Sequence, residues 1–198
     1  MCGGEGTRLG AGVEKPLYPV AGRPMAERVA NALSASRIDR AFAVPSLATP
    51  ETAARLSLPT IGTPGEGYVA DLNRALADSR VSAPVLTVAA DLPALDGTAV
   101  DAVLDAASVG GSEGRGLTIA VPVGRKRALG VCVDTVFSHG GCLVAPAGIN
   151  VVGDGNAVRI ARDSRFAVNV NRLTDARTAR WLLAGGTTPE PGVHPRLR

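Results

Sequence analysis

The chain has 198 residues, of which 45% are hydrophobic, 20% are charged and only 3% are aromatic, and its formal net charge is +3. This length suits about one domain, and the low aromatic content implies an aliphatic core. The dispersed basic residues argue against a nucleic-acid-binding module. No apolar run reaches the ~18 residues of a membrane span. Three scattered cysteines without a CxxC pair indicate neither a disulfide framework nor a zinc site, which suits a reducing cytoplasm.

The amino end, residues 2–24, is rich in glycine and carries two separated basic residues. Glycine permits positive φ and a close approach of the backbone to a ligand, so that amide groups can form an anion cradle. The glycines in this loop include Gly3, Gly4, Gly6 and Gly10. Arg8 and Lys15 add a planar donor fork and a point charge, a combination suited to a nucleoside triphosphate. The spacing matches neither GxxxxGK[ST] nor GxGxxG, so a plain turn is the alternative.

Helical and strand patterns alternate along the rest of the chain. Apolar residues at helical spacing predict helices over residues 25–35, 50–56, 68–79, 98–108 and 175–184. Short apolar runs predict strands over residues 40–46, 59–63, 84–91, 117–122 and 165–171. This alternation implies right-handed crossovers and an α/β fold with a mostly parallel sheet, whose ligands bind at the carboxyl ends of the strands.

Details of these elements are predicted from capping residues and apolar stripes. Thr49 and Thr174 are the expected N-caps of the second and last helices, and Asp96 precedes the fourth. We expect Val69, Leu72 and Leu76 to form the apolar stripe of the third helix, as similar stripes do on the other predicted helices. The basic run at residues 125–127 is interpreted as a solvated loop outside any site.

Polar residues in apolar segments are the candidates for a site. Asp91 ends the predicted strand 84–91 and has no obvious ion-pair partner. It either binds a ligand or caps a helix. Asn169 and Asn171 are two apart and therefore on one face of a strand, where asparagine is unusual, which favours a functional role. Asn150, close to Gly148, fits either a site or a simple turn.

Three segments in order, GGEGTRL, EKPL and AGRPM, resemble the signature of the nucleotidyltransferases with a Rossmann-like fold. Four further segments, GEGYVADLN, AADLPAL, VAPAGINVV and FAVNVN, resemble the archaeal GTP:adenosylcobinamide-phosphate guanylyltransferase family, over Cys2 to about Leu183. The resemblance implies a three-layer αβα Rossmann-like nucleotidyltransferase fold over residues 1–184, followed by a flexible tail at 185–198. Residues 131–152, with short strands and a Gly-Gly turn, are then assigned to an excursion from the sheet on the acceptor side.

The resemblance also implies a reaction. GMP would pass from GTP to adenosylcobinamide phosphate, with release of pyrophosphate, in cobalamin biosynthesis, and magnesium would be the cofactor. One alternative is another nucleotidyltransferase, acting on a molybdenum cofactor or a sugar phosphate, and a second is a nucleotide-binding regulator without turnover. The oligomeric state stays open, with a homodimer as one option.

Residue roles follow from the residue types and the resemblance together. The predicted nucleotide-binding residues are Gly3, Gly4, Gly6, Thr7, Arg8, Lys15, Gly65, Gly67 and Asp91. The predicted acceptor-binding residues are Gly148, Asn150, Asn169 and Asn171. The predicted catalytic residues are Arg8, Lys15, Asp91 and Asn169, with Asp91 as the metal ligand.

Two features depart from the resemblance. Glu5 stands where such loops usually carry Lys or Arg, and a carboxylate beside a triphosphate is repulsive. The sequence also starts at the glycine loop, so the first strand of the sheet is missing. We expect a start set a few codons late, and a sheet that closes around the gap is the alternative.

Overall fold

The computed structural model describes residues 1–4, 9–10, 12–108 and 115–186. Its helices are α1 (Met25–Ser34), α2 (Pro50–Arg55), α3 (Tyr68–Leu76), α4 (Gly97–Ser108), α5 (Val123–Ala128) and α6 (Leu173–Leu183). Its strands are β1 (Pro19–Val20), β2 (Arg23–Pro24), β3 (Val85–Val88), β4 (Arg115–Pro122), β5 (Phe137–His139), β6 (Cys142–Val152) and β7 (Asp154–Ile160). Two 3-10 turns cover Lys15–Leu17 and Ser164–Phe166.

One mixed sheet forms the centre of the fold. Its strand order is β3, β6, β4, β7, and β5 pairs with β6 beside this path. β6 runs antiparallel to β3 and β4, whereas β4 and β7 are parallel, so β6 is inverted between two strands that point the same way. The main apolar cluster joins β3, β4 and β6 to α1, α4 and α6. The predicted α/β class is therefore confirmed.

The amino end of the chain continues the sheet beyond β3. The Met1 amino group donates a hydrogen bond to the Val88 carbonyl (2.8 Å), and the Ala90 amide donates one to the Met1 carbonyl (3.1 Å). On the other side, the Cys2 amide donates to the Val44 carbonyl (2.8 Å). These bonds hold the start of the glycine loop between the end of β3 and the segment at residues 40–46.

The predicted strands at residues 40–46 and 59–63 form a short parallel ladder next to the amino end. The Ile61 amide donates to the Ala43 carbonyl (2.9 Å), and the Thr63 amide donates to the Pro45 carbonyl (3.0 Å). Only isolated bridges join the two segments, and neither is long enough to count as a strand of the main sheet.

The predicted helices are found as α1, α2, α3, α4 and α6, but two caps differ from prediction. At α2 the carboxylate of Glu14 accepts bonds from the amides of Glu51 (2.8 Å) and Thr52 (2.7 Å), and Thr49 makes no side-chain cap. α6 begins at Leu173, so the predicted cap Thr174 lies inside the helix. Asp96 does cap α4, since it accepts a bond from the Ala99 amide (2.9 Å).

The prediction that residues 131–152 leave the sheet is wrong for β6. This strand lies between β3 and β4, and Val144, Ala147 and Ile149 on it are buried. Pro146 and Gly148 interrupt its apolar pattern, and the register of β4 against β6 shifts between Thr118 and Ala120, the latter opposite Pro146. An irregular register tolerates a proline that a regular ladder would exclude.

The predicted strand at residues 165–171 is also wrong. After the 3-10 turn this segment forms no strand with any of the described residues, although the Val170 amide donates to the Asp91 carbonyl (2.9 Å). Its apolar side chains are buried in the main cluster, which explains why the pattern looked like a core strand. β7 and α5 were not predicted. β7 is mostly exposed and polar, so it lacks an apolar period.

Within the described residues, no helix is both long enough and apolar enough to cross a membrane.

Candidate active site

A pocket of about 290 Å³ opens at the carboxyl end of β3. Its lining includes six predicted nucleotide-binding residues, namely Gly3, Gly4, Lys15, Gly65, Gly67 and Asp91. Five of these come from the loop and the turn that precede α1 and α3, and Asp91 follows the carboxyl end of β3. The structure therefore brings together residues far apart in sequence at the end of the sheet where α/β folds bind ligands.

A hydrogen-bonded cluster of side chains surrounds Asp91. Lys15 Nζ lies 2.6 Å from Asp91 Oδ2 and 2.6 Å from Asn171 Oδ1, and donates to both. The other carboxylate oxygen, Oδ1, accepts a bond from Asn169 Nδ2 (3.1 Å). The side chains of Lys15 and Asp91 are 17% and 15% exposed, so both groups can meet a ligand in the pocket. All four residues were predicted as site residues.

The expectation that Asp91 has no ion-pair partner is wrong, because Lys15 is that partner. The two residues are 76 positions apart, and sequence spacing gives no indication of the contact. A 3-10 turn at Lys15–Leu17 follows Glu14, whose carboxylate is fixed on the start of α2. This anchoring directs Lys15 at the carboxyl end of β3.

Lys126 is a site residue that the sequence interpretation placed in a solvated loop. It lies on α5 and is only 3% exposed. Its Nζ donates to the Ala167 carbonyl (2.8 Å) and to Asn169 Oδ1 (3.0 Å). Burial lowers the pKa of Lys126 below its ordinary value, against the opposing effect of nearby carboxylates, of which Asp91 acts most strongly. Lys126 is therefore part of the cluster that reaches Asp91.

Two signals in the sequence could have identified Lys126. It is three residues from Val123 and three from Leu129, so helical spacing puts it on the apolar face of a short helix. In addition, Lys15 and Lys126 are the only lysines in a chain that otherwise uses arginine for positive charge. Both lysines converge on one cluster, where a compact charge fits better than a guanidinium group.

Gly148 packs directly against this cluster. Its φ is +80°, and a Cβ there would lie 3.0 Å from Ala89 Cβ and 3.2 Å from Asn169 Nδ2. The Gly148 carbonyl also accepts a bond from the Ala89 amide (2.8 Å). Only glycine suits both the backbone conformation and the close approach. The position is therefore fixed by the packing of β6 against Asn169.

Asn150 lies apart from the other predicted acceptor-binding residues. Its Nδ2 donates to the hydroxyl of Tyr68 (3.3 Å), and that hydroxyl lies 3.0 Å from Thr87 Oγ1. Tyr68 lines the pocket beside Gly67, so Asn150 faces the turn before α3. The structure thus joins Gly148, Asn169 and Asn171 to Asp91 and places Asn150 with Tyr68.

Asp71 is a further buried polar residue that the sequence interpretation missed. It lies on α3, and its Oδ1 accepts a bond from the Gly65 amide (3.0 Å). The predicted stripe on this helix is wrong at Val69, which is 69% exposed, whereas Asp71 and Ala75 are buried. Asp71 fixes the turn at Gly65, where φ is +83°. Its side chain was missed because the apolar stripe was placed on the wrong face.

The predicted site residues Gly6, Thr7 and Arg8 lie outside the described residues, as does Glu5. Their roles remain predictions. The described part of the loop, Gly3 and Gly4, lines the pocket next to Lys15.

The oxygen donors near Lys15 suit a magnesium ion. Asp91 and Asn171 supply a carboxylate and an amide oxygen that both face one cation, the Lys15 ammonium. Magnesium in phosphate sites commonly takes one or two carboxylates together with substrate phosphates, and needs no cage of protein ligands. The described residues contain no cluster of three His, Cys, Asp or Glu side chains that could hold a metal.

This site and its sheet define a nucleotide-handling α/β protein. The chain belongs to the MobA-like NTP transferase domain family, whose model matches residues 1–187. The family confirms the resemblance to nucleotidyltransferases that the glycine loop and the EKPL segment carry.

Similarity to individual proteins agrees with this family. Over 92% of its length the chain is 29% identical to the adenosylcobinamide-phosphate guanylyltransferase of Methanocaldococcus jannaschii, and it covers 95% of that protein. A hypothetical transferase from Thermus thermophilus matches 77% of the chain with 26% identity and a TM-score of 0.58, and the chain spans 63% of its length. A putative glucose-1-phosphate thymidylyltransferase from Bacillus anthracis shares the fold at 11% identity, with a TM-score of 0.66 and coverage of 91% and 92%.

Proposed function

We propose that the protein transfers GMP from GTP to adenosylcobinamide phosphate, giving adenosylcobinamide-GDP and pyrophosphate. The observation that carries nucleotidyl transfer is the cluster of Lys15, Asp91, Asn169 and Asn171 at the end of β3. The choice of acceptor rests on the 29% identity to the Methanocaldococcus jannaschii enzyme. We also propose that the transferase domain covers residues 1–184, because α6 ends at Leu183 and Gly185 (φ +86°) turns the chain.

The reaction needs two anions held in line. An oxygen of the acceptor phosphate attacks the α-phosphorus of GTP, and the bond to the bridging oxygen of the leaving pyrophosphate breaks. No nucleophilic side chain takes part, so the protein acts by positioning and by charge stabilisation. Lys15 contributes the positive charge that meets the phosphate oxygens, after its ammonium group leaves Asp91.

Asp91 and Asn171 would hold magnesium in this site. When bound, the ion would supply positive charge that stabilises the departing pyrophosphate. Asn169, with Gly148 packed against it, donates to Asp91 Oδ1 and to the Ala147 carbonyl and would hold the Asp91 carboxylate in place beside the reacting phosphates. A neutral amide can do so without adding negative charge against the triphosphate.

Tyr68 and the glycines on either side of the turn would meet the guanine base. Gly65 and Gly67 have φ values of +83° and +111°, which present the backbone of the turn to the pocket. Asp71 holds that turn through the Gly65 amide. Guanine preference is thus assigned to the turn at Gly65 and Gly67.

A second candidate is a nucleotidyltransferase with another acceptor. The family description names a MobA-like domain, which supports a molybdenum cofactor as the acceptor, and the shared fold includes a putative sugar-phosphate enzyme. The pocket described above would serve either acceptor without change. The acceptor therefore has to be identified by experiment.

A product assay tests the proposal. GTP labelled at the α-phosphate is incubated with the protein and magnesium and, in separate reactions, with cobinamide phosphate, mannose 1-phosphate or molybdopterin. We expect label in the cobinamide product only, with release of unlabelled pyrophosphate. Label in another product would identify that compound as the acceptor in place of cobinamide phosphate. No transfer to any of the three would favour a nucleotide-binding regulator.

A further inference from the structure

Lys126 is a buried charge to which the proposed reaction gives no direct role. Its side chain is buried against the segment that follows the second 3-10 turn, and its ammonium group donates to the Ala167 carbonyl and to Asn169 Oδ1. A buried ammonium group is costly unless acceptors surround it. Its position beside a site residue therefore calls for a reason beyond packing.

The amide of Asn169 has only one orientation that satisfies its neighbours. Lys126 can only donate, so it must face Oδ1 (3.0 Å). Nδ2 then points at Asp91 Oδ1 (3.1 Å) and at the Ala147 carbonyl (3.1 Å), both of which can only accept. A flip of the amide would break all three bonds and would place an oxygen against the Asp91 carboxylate.

We propose that Lys126 is a positioning residue for nucleotidyl transfer. By holding the Asn169 oxygen, it keeps the amide nitrogen on Asp91 Oδ1 and so fixes the carboxylate with Oδ2 toward Lys15 and the pocket. The inference rests on the proposed function, because it gives Asp91 the role of holding the metal–triphosphate complex. Within the part of the chain that the structure describes, Lys126 donates hydrogen bonds to Ala167 and Asn169 only. It bonds neither to Asp91 nor to another residue of the pocket lining.

The competing view is that Lys126 only ties α5 to Ala167. A tie of that kind would affect the stability of the fold and leave the metal-dependent part of nucleotide binding intact. The two views separate when binding is measured with and without magnesium. The ratio of the two GTP dissociation constants is the metal-linked gain in affinity.

A double-mutant cycle tests the proposal by calorimetry. Lys126→Met, Asn169→Ala and the double variant are compared, and Arg127→Met, on the exposed side of the same helix, is the control. We expect each of the first three to lower the metal-linked gain by about tenfold, as loss of an outer-shell partner does, and the double variant to lose no more than Asn169→Ala alone. The control should match the wild type.

Several outcomes would overturn the proposal. An unchanged gain in Lys126→Met, with a lowered melting temperature, would leave Lys126 a structural tie. Additive losses, about a hundredfold in the double variant, would mean that Lys126 acts independently of Asn169.

If the protein binds GTP but labels no acceptor, the proposed function fails while the cycle still decides the role of Lys126. If no nucleoside triphosphate binds, both fail together.

Lysine-selective 15N labelling provides a measurement that does not require Lys126→Met to fold. The chain has only two lysines, so two side-chain ammonium signals are expected. We expect the Lys126 signal to shift in Asn169→Ala and to stay in place in Arg127→Met. An unchanged Lys126 signal in Asn169→Ala would show that the two side chains do not interact and would overturn the proposal. Lys126→Gln, which retains N–H donors but loses the charge, is the second variant for the cycle.

Discussion

Lys15 and Asp91 form an ion pair between two residues that the proposed reaction needs for different ligands. In the proposed reaction Lys15 binds the triphosphate and Asp91 binds the metal. Their ion pair must therefore separate when the substrate binds. Ion pairs of this partly exposed kind are worth about 0.2–1 kcal/mol, which is small beside charge-assisted contacts to phosphate. Nucleotide and metal should therefore bind in a coupled way.

Asp91→Asn tests this coupling. Removal of the carboxylate frees Lys15, so GTP affinity measured without metal should rise by up to about fivefold, the equivalent of 1 kcal/mol. Turnover with magnesium should fall by at least about a hundredfold, because the carboxylate acts through the ion. Calorimetry and a pyrophosphate-release assay measure the two effects. Asp105→Asn, on the exposed face of α4, is the matched control.

The outcome that would contradict this coupling is weaker metal-free binding of GTP to Asp91→Asn. Asp91 would then hold Lys15 in its working position and would not compete with phosphate for it.

At the scale of elements, β6 brings Gly148, one of the proposed acceptor-binding residues, into the centre of the sheet. Its inversion between β3 and β4 puts Gly148 against Ala89, which is next to the end of β3. The site thus depends on the register of a strand whose irregularity comes from Pro146 and Gly148.

Gly148→Ala should disturb Asn169, and Gly155→Ala is a matched control. Both glycines have positive φ, +80° and +74°, but a Cβ at Gly155 meets nothing within 4 Å. Each substitution should cost about 1 kcal/mol of stability from backbone strain, or about 2–4 °C in melting temperature. Only Gly148→Ala should also lower turnover, since it pushes on the Asn169 amide. Equal turnover in the two variants would contradict the role given to Asn169.

Glu14 connects the glycine loop to α2. Its carboxylate accepts bonds from the Glu51 and Thr52 amides and from the Thr52 hydroxyl (2.6 Å), so the residue before Lys15 is fixed to a helix. The charge at the start of that helix is also favourable to its dipole.

Glu14→Gln should lower the melting temperature by about 2–4 °C, because a cap of this type is worth about 1 kcal/mol. GTP binding should weaken as well, since Lys15 loses its anchor, and the same calorimetric titration measures it. Asp39→Asn, an exposed residue between α1 and α2, is the control and should change neither. A stability loss without a change in GTP affinity would separate the cap from the site.

At the scale of the whole molecule, Arg165 links the start of α4 to the segment after β7. It pairs with Asp96 and Asp163. Burial by itself raises the pKa of each carboxyl, but the hydrogen bonds and charge of Arg165, joined at Asp96 by hydrogen bonds from the Ala99 amide and the Thr98 hydroxyl, together outweigh it and hold both pKa values below the ordinary 3.8. A carboxyl with a lowered folded pKa stabilises the fold above its unfolded pKa and loses that contribution as the pH falls through the folded value.

Arg165→Met should therefore be less stable than the wild type at pH 7, by the same margin down to about pH 5. Below about pH 4 the margin should narrow, as the wild-type carboxyls become protonated. Chemical unfolding across pH 3 to 7 measures the margin, with the exposed Arg159→Met as control. A margin that does not change with pH would mean that Arg165 acts by packing alone.

Much of this architecture could be predicted from local patterns. Helices with one apolar face, the strand at residues 84–91 and the ligand-binding end of the sheet follow from periodicity and from the chain direction that βα units impose. The choice of Lys15, Asp91, Asn169 and Asn171 as site residues also came from residue type and order. All four lie in one cluster.

The contacts among these residues could not be predicted in this way. The ion pair of Lys15 with Asp91, the burial of Lys126 and the place of β6 inside the sheet depend on which segments lie side by side. Local sequence determines where an element begins and which of its faces is apolar, since those depend on neighbours within a few residues. The partners of a buried polar group come from distant parts of the chain, so the tertiary structure alone decided that the two lysines meet at Asp91 and Asn169.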